Sequence, residues 1–368
     1  MPFQVLTPNA DIVQNRMVFS TVNQQVRSSK TLTIRNTGAQ PLRITRVTIG
    51  NSQENIAVRS ADNQRAADFR LVNRPALPMT LAPNASLNLS VQFAPQRTSN
   101  ISGSPTYLVN SENYASLTIT STDSFQPTRT VNLAGLNTVF YEGQKEPSVT
   151  EIARTLGLRV NIGTERKELG GAKTLLGSEV YSPYWLRADT TKPVLLWPLA
   201  VYSGRGNNPH NPVRFEAKPG SGGNSGLIYQ YAGRNNDDSP TGNEVPGSNN
   251  ESGGENQKLL PKILLSNFAN SVPTTNTVAF NPTAPFALNR PDFNGPSWTD
   301  DSKNTPEKLH NWRLFPVRDG SGNLIANTWY AIEDIGNVNS PQAGKNFDYN
   351  DNVYLLVNAR PESIGLSP

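Results

Sequence analysis

The sequence predicts an all-β protein built from a smaller sandwich followed by a larger one, joined through a stretch with one short helix. Three observations carry this. Apolar residues make up 36% and charged residues only 17% of the chain. The difference is taken up by Asn, Ser, Thr, Gly and Pro, which favour turns and loops over long helices. Short stretches alternate apolar and polar residues, with turn signals at regular spacing, the pattern of half-buried strands. At 368 residues the chain is long enough for two domains, each with its own core.

The first region, residues 1–138, shows the alternation most clearly. Residues 31–35 (TLTIR) place Leu32 and Ile34 on one face, and the Asn36-Thr37-Gly38 turn follows. Residues 42–49 (LRITRVTI) alternate again. The parity changes between Ile44 and Val47, which predicts a bulge or bend there. Leu87, Leu89, Val91 and Phe93 share one face of the next strand, and 117–119 and 131–133 supply the last ones.

In this order, the motifs resemble a known family. An early Val18-Phe19 is followed by TLTIRNTGAQPLRITRVTI, LPMTLAPNASLNLSVQFAP and ASLTITSTDSFQPTRTVNLAGL. They are similar to the immunoglobulin-like modules of the ASPM/SPD-2/Hydin (ASH) type, which bacteria carry in choice-of-anchor D proteins. The matching parts are the Asn36 to Gly38 turn, Leu81-x-Pro83 before a strand, Phe93-x-Pro95 after it and the closing Leu133-x-Gly135. The resemblance covers about the first third of the chain. It implies an immunoglobulin-like sandwich of seven strands, used for attachment and spacing, with no catalysis.

Residues 139–186 form the predicted linker. Ser148-Val-Thr-Glu151 is a capping box, because the Ser148 hydroxyl and the Glu151 carboxylate can each accept the other's backbone N–H. Val149, Ile152, Ala153 and Leu156 fit one helical face, and Gly157 suits the position after the helix end. The spacing predicts a helix over 148–156.

The second domain, 187–368, is predicted as the larger, jelly-roll-like sandwich. Its core strands are expected at 193–198, 227–231 and 353–357, and in a hairpin of 312–317 with 324–332. Residues 235–256 hold hardly any apolar side chain and are expected to form a long loop. The turn at 319–323 has oxygen-bearing residues at alternating positions but carries Tyr330 where a calcium loop needs its twelfth-position Glu, so it is expected to be a hairpin turn.

Chemistry is best placed in the last fifty residues. Glu333-Asp334 closes one predicted strand, and Asp348, Asn350 and Asp351 precede the last. Carboxylate and amide oxygens grouped in this way suit Ca²⁺, which would also offset their mutual repulsion. The stretches AIEDIG and NFDYNDNVYLLVNARP resemble the calcium-associated end of bacterial extracellular β-sandwich domains of the DUF4114 type. That resemblance implies Glu333, Asp348, Asn350 and Asp351 as calcium ligands, with Asp334 a further candidate.

Other chemistries find less support. There are no cysteines, which excludes disulfides, thiolate metal sites and cysteine nucleophiles. The two histidines, His210 and His310, are too few for a His-rich metal site. No nucleophile elbow or phosphate loop occurs. Glu216, Asp300 and Glu307 could form the carboxylate pair of a glycoside hydrolase, and Trp298 in a predicted loop could stack on a sugar. Trp312 and Trp329 lie in strand patterns and are expected in the core. The net charge of +4 is spread without a Lys/Arg run, which gives no nucleic-acid patch, and no apolar stretch reaches the length of a membrane span.

The function expected from the sequence is a non-catalytic structural or adhesive protein. It would act at a bacterial surface or outside the cell, through self-association or attachment to other surface proteins, with calcium stabilising the second domain. A calcium-dependent polysaccharide-binding protein and a glycoside hydrolase are the alternatives. The first ten residues show no basic stretch leading into an apolar core, so either a surface location implies export by another route or the chain is not exported.

Overall fold

A computed structural model describes residues 3–22, 28–54, 65–95, 111–138, 147–163, 175–202, 212–231, 258–261, 263–264, 278–290, 296–305, 310–334 and 349–363. It is all-β, with one short α-helix among the described residues. No helix among them is long and apolar enough to cross a membrane. Among the described residues, one compact unit takes in 3–138 with Thr155–Gly157, and the second takes in the rest.

The first unit is an immunoglobulin-like sandwich of two sheets. Its strands are β1 (Phe3–Leu6), β2 (Arg16–Val22), β3 (Ser28–Asn36), β4 (Leu42–Asn51), β5 (Phe69–Val72), β6 (Met79–Leu81), β7 (Ser86–Phe93), β8 (Ser111–Ser121) and β9 (Thr128–Thr138). One sheet runs β1-β3-β7-β5 and the other β2-β9-β8-β4-β6. All pairs are antiparallel except β2 with β9, which is parallel over the seven positions from Arg16↔Asn132 to Val22↔Thr138.

Alternation works here as a burial code. Leu32 and Ile34 on β3 face Leu89 and Leu87 on β7 and enter the core with Phe19, Phe69, Phe93, Leu117 and Leu133. The parity change on β4 is a shift of register against β8 between Ile44 and Arg46, and it keeps both Ile44 and Val47 buried. Asn36 makes the predicted turn by accepting the Gly38 N–H on its side-chain oxygen at 3.0 Å, while its amide donates to Gln40 O and Leu81 O.

The predicted helix is α1 (Val149–Thr155). The capping box forms as its residues require: Ser148 N–H donates to Glu151 Oε2 at 2.8 Å, and Glu151 N–H donates to Ser148 Oγ at 3.3 Å. At the far end Gly157 has φ +79°, and Leu158 N–H donates to Ala153 O at 2.9 Å, the closing bond of a left-handed helix stop.

The second unit has two antiparallel sheets. The strands are β10 (Trp185–Arg187), β11 (Val194–Val201), β12 (Pro212–Ala217), β13 (Gly226–Tyr231), β14 (Lys258–Leu259), β15 (Ile263–Leu264), β16 (Ala279–Phe280), β17 (Phe286–Arg290), β18 (Ser297–Trp298), β19 (Trp312–Arg318), β20 (Leu324–Glu333), β21 (Asn352–Val357) and β22 (Ala359–Pro361). One sheet runs β15-β13-β12-β17-β10-β22 with β18 beside β17. The other runs β14-β11-β21-β20-β19 with β16 beside β11.

The chain crosses between these sheets repeatedly, as a jelly-roll-like sandwich does. Aromatic side chains close the space between them. The Trp185 and Trp329 rings meet edge to face at 4.9 Å, and Phe280 packs on Phe215 and Phe286 at 4.8 and 5.3 Å. Trp312 stacks on Tyr354 at 5.3 Å and is buried, while Trp329 is half-buried and donates Nε1–H to Ala359 O.

Strand β19 ends its sheet, yet two preceding stretches, 158–163 and 175–180, bond to its outer side. Arg159 and Arg318 exchange backbone hydrogen bonds at 2.8 and 3.0 Å, and Val180 N–H donates to Leu314 O at 2.9 Å. An outer strand whose backbone groups are paired in this way offers no ready template to another strand. The turn between β19 and β20 is held by Asp319 Oδ1, which accepts N–H bonds from Ser321 and Asn323 at 2.8 and 2.9 Å. These bonds pull the exposed Asp319 carboxyl below its ordinary range. It is a hairpin turn, and the 235–256 stretch lies outside the described residues.

Candidate functional site

The residues singled out near the C-terminus come together where β20 ends and β21 begins. The register pairs Glu333 with Asn352, so the last residue of one strand lies beside the first of the next. Glu333, Asp334, Asn350, Asp351 and Asn352 are all buried. Asp348 lies outside the described residues. Glu333 Oε2 accepts the Asn352 amide at 3.2 Å and faces the Arg290 guanidinium, which reaches over from β17 in the opposite sheet, at 3.5 Å. Asn350 Nδ2 donates to Pro147 O at 2.8 Å, and Asp351 O accepts the Tyr202 N–H at 3.0 Å.

Two observations bear on whether this set suits calcium. The side-chain oxygens of Asn350 and Asn352 are buried and meet no hydrogen-bond donor among the described residues. Amide oxygens are hard donors of the kind Ca²⁺ takes. The second unit also buries six carboxylates among its described residues: Glu179, Asp300, Asp301, Glu333, Asp334 and Asp351. Among the same described residues, Arg290, His310 and Arg313 are the buried basic groups. Among the described residues, no three His, Asp or Glu side chains are grouped so as to hold a metal ion.

A second ionic cluster involves residues that carry no local sequence signal. His310 N–H donates to Asp301 Oδ1, and its ring Nδ1 lies 2.9 Å from Asp301 Oδ2. Ring Nε2 lies 2.7 Å from Glu179 Oε1. The other Glu179 oxygen takes a charge-assisted bond from Arg313 and accepts Leu176 N–H at 2.8 Å. Tyr349 Oη donates to His310 O at 2.9 Å, and the Arg313 guanidinium lies over the Tyr349 ring at 4.8 Å.

Burial by itself would lower the His310 pKa, but the hydrogen bonds to Asp301 and Glu179 outweigh it and the net shift is upward. Burial would raise Asp301, and its bonds to His310 outweigh that, so its carboxyl is lowered. Burial pushes the Tyr181 hydroxyl up to about 12, assisted by Asp301.

The residues proposed for sugar chemistry are committed elsewhere. Trp298, expected in a loop, lies in β18 and pairs with Asn289 on β17. Lys303 Nζ stands 4.3 Å from its ring centroid and 2.9 Å from Glu216 Oε1. Asp300 takes a short bond from the Tyr184 hydroxyl on one oxygen, and Ser302 N and Oγ donate to the other. Glu307 and His210 lie outside the described residues. Sequence reasoning passed over Arg290 and Arg313. Their available signal was a charge within otherwise apolar strand text, FALNR and WRLF.

No protein-family model matches the sequence, and no curated protein matches it. Among solved structures, the chain is similar at 10% identity to an ASH/PapD-like domain of human CEP192, over 39% of this chain and 87% of that one, with a TM-score of 0.22. It is similar at 12% identity to the Pseudomonas aeruginosa CupB2 chaperone, over 59% and 79%, with a TM-score of 0.23. A protein of unknown function from Porphyromonas gingivalis W83 shares 17% identity over 36% of this chain, with a TM-score of 0.23; the chain spans 45% of its length. Overlaps of this size say nothing about activity.

Proposed function

We propose that this chain is a non-catalytic structural protein of a bacterial surface or extracellular assembly. Its first unit would be a spacing and attachment module of the choice-of-anchor D type. Its second would be a calcium-stabilised sandwich of the DUF4114 type. One observation carries the non-catalytic reading: His310 is buried with each ring nitrogen against a carboxylate, which leaves no nitrogen free to serve a substrate as a base. Glu216 and Asp300 are likewise held by Lys303 and Tyr184.

Calcium would be held by Glu333, Asn350 and Asp351 with Asp348, and its charge would offset the repulsion among these carboxylates. The partners would be further copies of the chain or other surface proteins. Polysaccharide binding through Trp298 is less well supported, because Lys303 covers its ring.

The test is thermal unfolding with calcium and then with excess chelator, alongside sedimentation over a range of concentrations. All five tryptophans lie in the second unit, so their emission follows that unit alone. Calcium at about a hundred times its Kd is expected to stabilise the unit by about 2.7 kcal/mol. An unchanged midpoint removes calcium from the reading. A strictly monomeric chain that cleaves glycans overturns the structural role.

A further inference from the structure

His310 sits where three pieces of the second unit meet. Asp301 reaches it from the 3-10 turn Asp301–Lys303, and Glu179 from the 175–180 stretch that covers the outer side of β19. Arg313 on β19 is the second cation on Glu179. The Tyr181 ring lies 5.7 Å from the imidazole, and Tyr349 bonds the His310 carbonyl. Asp300 adds negative charge beside Tyr181, and Asp334 does so beside Tyr349.

The bonding pattern decides the protonation state. A neutral imidazole has one N–H and one lone pair, whereas two carboxylates on opposite nitrogens call for two N–H donors. A neutral ring would point its lone pair at one of these carboxylates. One oxygen of that carboxylate would then be buried against a lone pair in place of a donor, a costly arrangement.

We propose that protonated His310 is a latch on the cover of strand β19, tying the Glu179 segment to the turn at Asp301, and that loss of its proton to water lets the cover lift. Glu179 is the mechanical link, because it accepts its own segment's Leu176 N–H and sits next to Val180, whose N–H bonds Leu314 on β19. Once His310 is neutral, Glu179 keeps only Arg313 as a cation among the described residues, and Asp301 loses the imidazolium. The outer backbone groups of β19 then become open to pairing.

The direction with pH follows from the two shifts. The His310 value is raised by folding, so its contribution is complete below the ordinary histidine value of about 6.5 and is lost as pH rises through the folded value. Asp301 is lowered, so its contribution holds above the ordinary value of about 3.9 and is lost as pH falls through the folded value. The latch is closed between the two.

The test uses the full chain. Nitrogen NMR of the two histidines, with His210→Gln to assign them, is expected to show both His310 nitrogens protonated at pH 7 and a titration above about 6.5. Exchange of the Val180 and Arg159 amides, corrected for intrinsic pH dependence against Ile34 in the first unit, should quicken by up to about tenfold per pH unit above that titration. In His310→Gln this extra dependence should vanish. A neutral His310 at pH 7, or Val180 exchange that tracks Ile34 throughout, would falsify the latch. If His310→Gln fails to fold, the titration and exchange of the unaltered chain decide alone.

Discussion

In the first unit, Phe19, Phe69 and Phe93 meet between the sheets with ring centroids 5.0 to 6.1 Å apart, and apolar side chains fill the space around them. In the second unit the Trp185, Trp329 and phenylalanine contacts fill some of that space, and the ion pair of Arg290 with Glu333 crosses it elsewhere. The first unit has its own ion pair, buried Arg16 with half-buried Glu54, but burial outweighs the arginine there and raises the Glu54 pKa. Around His310 the hydrogen bonds outweigh burial. The difference teaches that a charge is held inside a sandwich when several fixed partners converge on it, and that apolar area alone suffices when none is needed.

The comparison can be broken most sharply at Arg313. Arg313→Met leaves Glu179 with one cation and should destabilise the second unit by about 3–5 kcal/mol, read by urea titration of tryptophan emission. The Ile34 amide in the first unit should keep its exchange protection. Phe93→Ala should reverse the pattern, costing the first unit about 3–5 kcal/mol while tryptophan emission is unmoved. Equal loss in both units from either substitution would mean that the two unfold as one.

Smaller changes sharpen the same contrast. A Cβ on Gly135 would stand 2.5 Å from the Phe93 ring, so Gly135→Ala should cost about 1–3 kcal/mol, much of it recovered by adding Phe93→Leu. Ser148→Ala removes one half of the capping box and should cost about 1 kcal/mol by thermal unfolding. Leu324→Ser lies at an exposed position and should shift stability by no more than about 0.5 kcal/mol.

Much of the fold was legible because its determinants are local. Alternation at 31–35 and 87–93 named the faces that are buried, and the parity change on β4 marked the register shift. The capping box and Gly157 bounded α1 within a residue at each end. The site was only partly legible. The run from Asp348 to Asp351 stood out because its residues are neighbours in the chain. Glu179 lies 131 residues from His310 and 134 from Arg313, so no window of sequence contains their bond. Trp298 was misread for the same reason: its strand exists through pairing with β17, and nothing in Pro296-Ser-Trp-Thr-Asp300 announces it.

The parallel pairing of β2 with β9 has a mechanical side. Arg16 and Thr138 stand at opposite ends of a seven-position ladder, with both strands pointing the same way. Tension drawn along the chain from before Arg16 to beyond Thr138 therefore slides one strand past the other and loads all seven positions together. An antiparallel hairpin pulled at its open end would instead unzip, breaking its bonds singly. A ladder loaded in this way gives way only when its positions yield together.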